Sequence, residues 1–315
     1  MRWGRLVLWL TLAGCATGEA QTDPDPQETS APTPPPEPAP AATPEAPTAP
    51  GWSAEVTLDN AAFPSPGAPS AVVHAPPGLD PTQPLHVVVF VHGWRGCARQ
   101  LAYGGDDVTC RDGARPVTGW DLAARFDEAH VDALFVVPQL AFLVQDGSPG
   151  RFIEEGRFAA FLDELIAALR DRLGPPADAS RVASITLLAH SAGYETALAI
   201  LSRGGVSSRL RSIVLFDALY RGHGRFADWV LEDPERRLVS LHGATGRTVS
   251  QSELLVGRLR RPLGDALSDG AEGSLEALIH EHRVVVARAS APHGDIPARH
   301  MAEVLRGLRP GVPTE

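Results

Sequence analysis

LLAHSAGYETALAI, residues 187–200, decides how the rest of the chain reads. It opens as an apolar run suited to the end of a buried strand and closes as the Ala-rich start of a helix. Between the two sits Ser191, with Ala189 two positions before it and Gly193 two positions after. Small residues at both flanks are what a tight strand-to-helix turn needs, because the two backbones come together around the residue in the middle. Taken alone, so short a pattern also arises by chance, and Ser191 could equally cap a helix. The residues at the ends of the other strands distinguish the two readings.

The block 85–91 (LHVVVFV) is continuous and β-branched, as expected for a strand covered on both faces. Residues 133–137 (ALFVV), 185–189, 213–216 (IVLF), 238–241 and 284–287 (VVVA) read as further strands. Helical spacing runs through 120–129, 192–202 and 297–308. It is clearest at Phe158, Phe161, Leu162, Leu165, Ile166 and Leu169, after which Gly174-Pro175-Pro176 stops the helix. No internal repeat is visible. This alternation predicts an α/β fold, a mostly parallel doubly wound sheet with helices on both faces and ligands at the carboxyl ends of its strands.

Two polar residues then fall where a serine nucleophile needs them. Asp217 directly follows the strand 213–216, and His293 lies in APHGDIP just beyond the strand 284–287. Val91-His92-Gly93-Trp94 closes the first long strand with a His-Gly pair. With the elbow around Ser191, these residues resemble the α/β-hydrolase superfamily over essentially all of residues 51–310. The resemblance implies Ser191 as nucleophile, His293 as general base and Asp217 as the group that orients the imidazole. It also implies an oxyanion hole made by the backbone N–H groups of Trp94 and Ala192. In the superfamily the acid more commonly follows the next strand, where this chain reads His242-Gly243-Ala244-Thr245 without a carboxylate; a subset of lipases uses the earlier position. Asp265 and Asp269 are the fallbacks for the acid. His223, His280, His282 and His300 are those for the base, but only His293 sits in a loop directly beyond a strand end. There is no H-E-x-x-H, and His280 with His282 lacks a third ligand nearby, so no metal and no cofactor is expected. The segment 221–237 is too short for a large cap domain, which predicts an open cleft with Phe226 and Trp229 as substrate-contacting candidates.

The chain has 315 residues, 43% of them hydrophobic, enough for a sizeable core. Its formal net charge of −10 is concentrated partly in Glu19, Asp23, Asp25, Glu28, Glu37 and Glu45, all in a Pro-rich stretch without Arg. No basic patch of the kind phosphate backbones require is left, so nucleic acid is not an expected partner. Residues 1–14 read as an export leader: Arg2 and Arg5, then a short apolar run too brief to span a bilayer. Leu12-Ala13-Gly14-Cys15 resembles the lipobox of bacterial lipoproteins, which implies lipidation at Cys15 and membrane attachment through the N-terminal lipid. Ala16 rather than Asp after the cysteine implies the outer membrane in a Gram-negative host. Residues 15–50 then form a Pro-rich stretch with almost no large apolar side chains, expected to be a solvated tether before a hydrolase domain at 51–315.

In such an oxidising compartment Cys97 and Cys110, separated by twelve residues, are expected to form a disulfide. The expected activity is hydrolysis of carboxylic esters, on a small-molecule or acyl substrate, through an acyl-enzyme intermediate. The alternatives are an amidase or peptidase acting on envelope material, and a noncatalytic hydrolase-like binding module at the cell surface. Nothing in the sequence sets the oligomeric state.

Overall fold

The computed structural model describes residues 49–64, 68–105, 120–141, 148–176, 178–270 and 273–310. These all belong to the unit Pro47–Glu315. The leader, Cys15, nearly all of the Pro-rich stretch and Cys110 lie outside the described residues.

In chain order the strands are β1 (Trp52–Val56), β2 (Ala71–Ala75), β3 (Leu85–Val91), β4 (Leu134–Pro138), β5 (Val182–His190), β6 (Leu210–Phe216), β7 (Arg237–His242), β8 (Leu267–Asp269) and β9 (Val284–Arg288). Helices α1 (Ala98–Tyr103) and α2 (Leu122–Asp127) lie between β3 and β4, and α3 (Arg157–Ala168) and α4 (Arg170–Leu173) between β4 and β5. Each later strand to β8 is followed by one helix: α5 (Tyr194–Arg203), α6 (His223–Glu232), α7 (Arg247–Leu263) and α8 (Leu275–Glu281). The last helix, α9 (Ile296–Leu308), follows β9.

The strands form one sheet in the order β1-β2-β4-β3-β5-β6-β7-β9-β8. From β4 to β8 every neighbouring pair is parallel, while β1 and β2 add an antiparallel edge. This is the expected mostly parallel sheet. Its β-branched strands need cover on both sides, and the alternation along β3 supplies it. Leu85, Val87, Val89 and Val91 enter one apolar cluster with residues of α3, α5, α6 and α7. Val88 and Phe90 enter a second cluster with residues of α1, α2, α8 and α9. The helices therefore divide between the two faces.

Helix α3 shows why the layers hold. Phe158, Phe161, Leu162, Leu165 and Ile166 recur at three and four residues and are all fully buried. Phe158 and Phe161 pack with Phe152, ring centroids 5.2 Å from it in each case. Truncating one such phenylalanine to alanine removes its transfer free energy and leaves a void, a cost of about 3–5 kcal/mol.

The same logic corrects one expectation. Phe226 and Trp229 are 0% and 2% exposed and belong to the cluster beneath the sheet, not to a cleft. They lie on α6 with Ala227 and Val230, a 226/227/229/230 pattern that marks the inward face of an amphipathic helix. Neither can reach a substrate.

Candidate active site

Strand β5 runs without interruption to His190, and the chain then turns through Ser191–Gly193 into α5. Ser191 has φ 55, a left-handed conformation that non-glycine residues avoid at a cost of about 1–3 kcal/mol. Close approach of the surrounding backbone holds it there. A Cβ at Gly193 would lie 2.4 Å from the Val91 carbonyl, and one at Gly93 would lie 2.8 Å from Cβ of Ser191. Glycine at these two positions lets α5 and the loop after β3 close on the serine. Asp217, the first residue after β6, is also left-handed, with φ 44.

The fold brings together three residues that are far apart in sequence. His293 Nε2 lies 3.0 Å from Ser191 Oγ, and His293 Nδ1 lies 2.6 Å from Asp217 Oδ2. An ionised carboxylate only accepts, so Nδ1–H donates to Asp217 and the Nε2 lone pair faces the serine hydroxyl. The second carboxylate oxygen, Oδ1, accepts from the Gly243 N–H at 2.9 Å and from the Thr248 hydroxyl at 2.5 Å. Burial pushes the Asp217 carboxyl up, but these hydrogen bonds and the nearby imidazole outweigh it and hold the group at about 2. The position after β7, where the acid commonly stands, is thus occupied by a backbone donor to an acid carried one strand earlier.

The flanking histidines hold the loops. His190 donates from Nε2–H to the His293 carbonyl at 2.9 Å and lies against the His293 ring, centroids 4.8 Å apart. Trp120 packs edge-on against His190. Burial, then the neighbouring His293, drives His190 down to about 3, so it stays neutral and adds no charge beside His293. His92 donates from Nδ1–H to the Gly93 carbonyl at 2.9 Å and accepts the Leu140 N–H at 3.0 Å through Nε2, tying the loop after β3 to the end of β4. Burial lowers His92 to about 4.

A cavity of about 470 Å³ opens on the serine, with Trp94, Ser191, Ala192, Tyr220 and His293 in its lining. Trp94 is 59% exposed at its rim, and Ala192 is buried at the start of the turn. Nothing in the sequence singles out Tyr220. Its phenol lies against the Ser191 hydroxyl, and burial and the Asp217 charge push it up. Thr248 was equally silent, since nothing in its neighbourhood in sequence connects it to Asp217. The fallback residues lie elsewhere: Asp269 pairs with Arg260, the Asp265 carbonyl accepts from His282, and His223 bonds Gln251. Cys97 is buried at the start of α1, and its expected partner Cys110 lies outside the described residues. Among the described residues, no group of three or more His, Cys, Asp or Glu side chains could hold a metal ion.

No protein-family model matches the sequence, and no curated protein matches it. Solved structures do. A serine-to-alanine mutant of the feruloyl esterase module from Clostridium thermocellum, complexed with sinapinate, superposes with a TM-score of 0.51 at 11% identity, covering 89% of this chain and 95% of that one. A structure of FAE gives 0.50 at 11% identity, covering 86% and 92%. Strand order, layering and these superpositions agree on the architecture: the chain has an α/β-hydrolase fold.

Proposed function

We propose that the protein is a serine hydrolase that cleaves carboxylic esters through a covalent acyl-enzyme. One observation carries the reading: Ser191 Oγ, the His293 imidazole and the Asp217 carboxylate form an unbroken hydrogen-bonded chain of 3.0 and 2.6 Å at the mouth of a cavity. In this reading Ser191 attacks the ester carbonyl as its proton passes to His293 Nε2. The imidazolium so formed is stabilised by Asp217, which three donors keep ionised. The backbone N–H groups of Trp94 and Ala192 receive the oxyanion, and loss of one such donor typically costs about 3–4 kcal/mol of barrier lowering. His293 then protonates the departing alcohol, and water attacks the acyl-enzyme by the same route in reverse.

The test is covalent. A fluorophosphonate should label Ser191, and short p-nitrophenyl esters should turn over. A protein that takes no label and turns over no ester would be a binding module.

The lipoprotein reading belongs to the same proposal. The Leu12-Ala13-Gly14-Cys15 tetrapeptide behind a charged and apolar leader supports lipidation at Cys15 and anchoring in a bacterial envelope, facing periplasm or exterior. The Pro-rich stretch that follows, extended at about 3.1 Å per residue, would reach roughly 100 Å from the lipid. Metabolic labelling with an alkynyl fatty acid, lost in Cys15→Ser, tests it. In that compartment Cys97 and Cys110 would be paired, closing a loop worth roughly 3 kcal/mol; two titratable thiols in the unreduced mature protein would overturn the pairing.

A further inference from the structure

The cavity at Ser191 has a second wall whose chemistry the hydrolytic step does not use. Tyr194 and Glu195 open α5, Arg221 follows Tyr220 in the turn before α6, and Arg247 begins α7; all four line the cavity. Both arginines are exposed. Among the described residues neither has a carboxylate within ion-pair distance, whereas Arg99, Arg125, Arg157, Arg258 and Arg306 each do. The counter-charge in the wall is Glu195, whose Oε1 accepts the Tyr194 hydroxyl at 2.9 Å. Within the cavity lining two positive charges therefore stand against one negative charge, the ionised Asp217 lying behind His293 and outside that lining, in a chain whose formal net charge is −10. The Tyr194 phenol registers this field: burial and Glu195 push it up, while Arg221 and Arg247 both pull it down.

Resting on the ester-hydrolase reading, we infer that this wall selects esters that carry a carboxylate a few bonds from the scissile carbonyl. Trp94 and Tyr220 flank the carbon skeleton, and Arg221 and Arg247 take the anion. Guanidinium is suited to the task because its planar fork offers a carboxylate two parallel N–H donors, and because it stays charged at every working pH. Exposure to water keeps the attraction modest and makes it fade as salt screens it.

The test pairs esters that differ only in charge. The p-nitrophenyl monoester of glutaric acid against p-nitrophenyl valerate places the anion on the acyl side. 4-Carboxyphenyl butyrate against phenyl butyrate places it on the alcohol side. In at least one pair the anionic ester is expected to have kcat/KM about tenfold above its neutral partner at low ionic strength, shrinking towards parity at about 1 M salt. The double variant Arg221→Gln/Arg247→Gln should lose that preference while still hydrolysing the neutral ester. Arg225→Gln, which removes the same charge from an exposed position of α6 outside the cavity, should keep it. Neutral esters cleaved as well as anionic ones, or a preference that survives in the double variant, would overturn the inference alone. No turnover of any ester together with no fluorophosphonate label on Ser191 would bring down this inference and the hydrolase reading with it.

Discussion

Among the described residues two Ser-His-Asp chains stand out, and they are built in opposite ways. At the carboxyl ends of β5, β6 and β9 run Ser191, His293 and Asp217. At the antiparallel edge of the sheet, Ser53 Oγ lies 2.8 Å from His74 Nδ1, and His74 Nε2 lies 2.8 Å from Asp127 Oδ1. Residue types and distances are nearly the same. In the first chain the histidine side chain is 44% exposed and the aspartate 8%; in the second the histidine is 10% exposed and the aspartate 39%. An imidazole that moves protons to a substrate must be reachable, and an acid that steadies an imidazolium is strongest when shielded from water. The edge chain inverts both conditions.

The backbones differ as much. Ser53 stands in the regular strand β1, directly opposite His74 in register, and presents its hydroxyl to a ring buried beneath it. Ser191 stands at φ 55 on an elbow, with the backbone of Gly93 and Ala192 pressed around it and a cavity in front. A hydrogen-bonded chain is common to both regions. Strain and open space belong to one. Ser53 and Asp127, both open to water, satisfy the two ring nitrogens of the buried His74 where β1, β2 and α2 meet.

The comparison is most sharply tested by removing the two serines. Ser191→Ala should lower ester hydrolysis by on the order of 10⁵-fold and abolish fluorophosphonate labelling, while Ser53→Ala leaves kcat and labelling as they were. Labelling at Ser53 would break the distinction. The two acids come next. Asp217→Asn should lower kcat by about 10⁴-fold in a folded protein, because an amide cannot hold the imidazole in the required tautomer, and Asp127→Asn should leave kcat unchanged.

Acid should act through the first region. His92 and His190 are held neutral, at about 4 and about 3 in the fold, whereas the unfolded chain protonates them near the ordinary 6.5. Between those values the unfolded state binds more protons, so stability is lost as pH falls below 6.5, by about 1.4 kcal/mol per pH unit for each ring. Urea midpoints measured from pH 7 to 4 should drop accordingly; a flat profile would show that the two rings are not desolvated.

Smaller effects separate packing from contact. Phe226→Ala should cost about 3–5 kcal/mol of stability without changing KM, as measured by urea unfolding and by kinetics on the folded fraction. A raised KM at unchanged stability would return Phe226 to the cleft. His74→Ala should cost about 1–3 kcal/mol, because it removes a buried ring packed edge-on against Phe126, again with kcat intact.

How much of this was legible in the sequence follows from the range of each force. The long apolar blocks 85–91, 133–137 and 185–189 announced buried strands because such a strand needs no polar face, and α3 announced itself through its 158/161/162/165/166 stripe. The edge strands escaped. β1 reads WSAEV with every other residue exposed, β2 carries His74, and β8 has three residues. Phe226 and Trp229 mislead when read in sequence alone, because aromatic residues near a site look like contacts until their helical spacing is counted.

At the site, the residue types at three strand ends pointed to Ser191, Asp217 and His293, since a parallel sheet gathers those ends along one rim whatever the loops do. Local sequence, acting through hydrophobic period, glycine placement and turn chemistry, determined the central strands, the principal helices and the elbow. Only the tertiary structure decided which Ser-His-Asp chain faces a cavity, which acid is shielded, and that Thr248, Gly243, Tyr220, Arg221 and Arg247 stand beside it. Those outcomes depend on burial and on distances across the fold, which a linear order of residues does not contain.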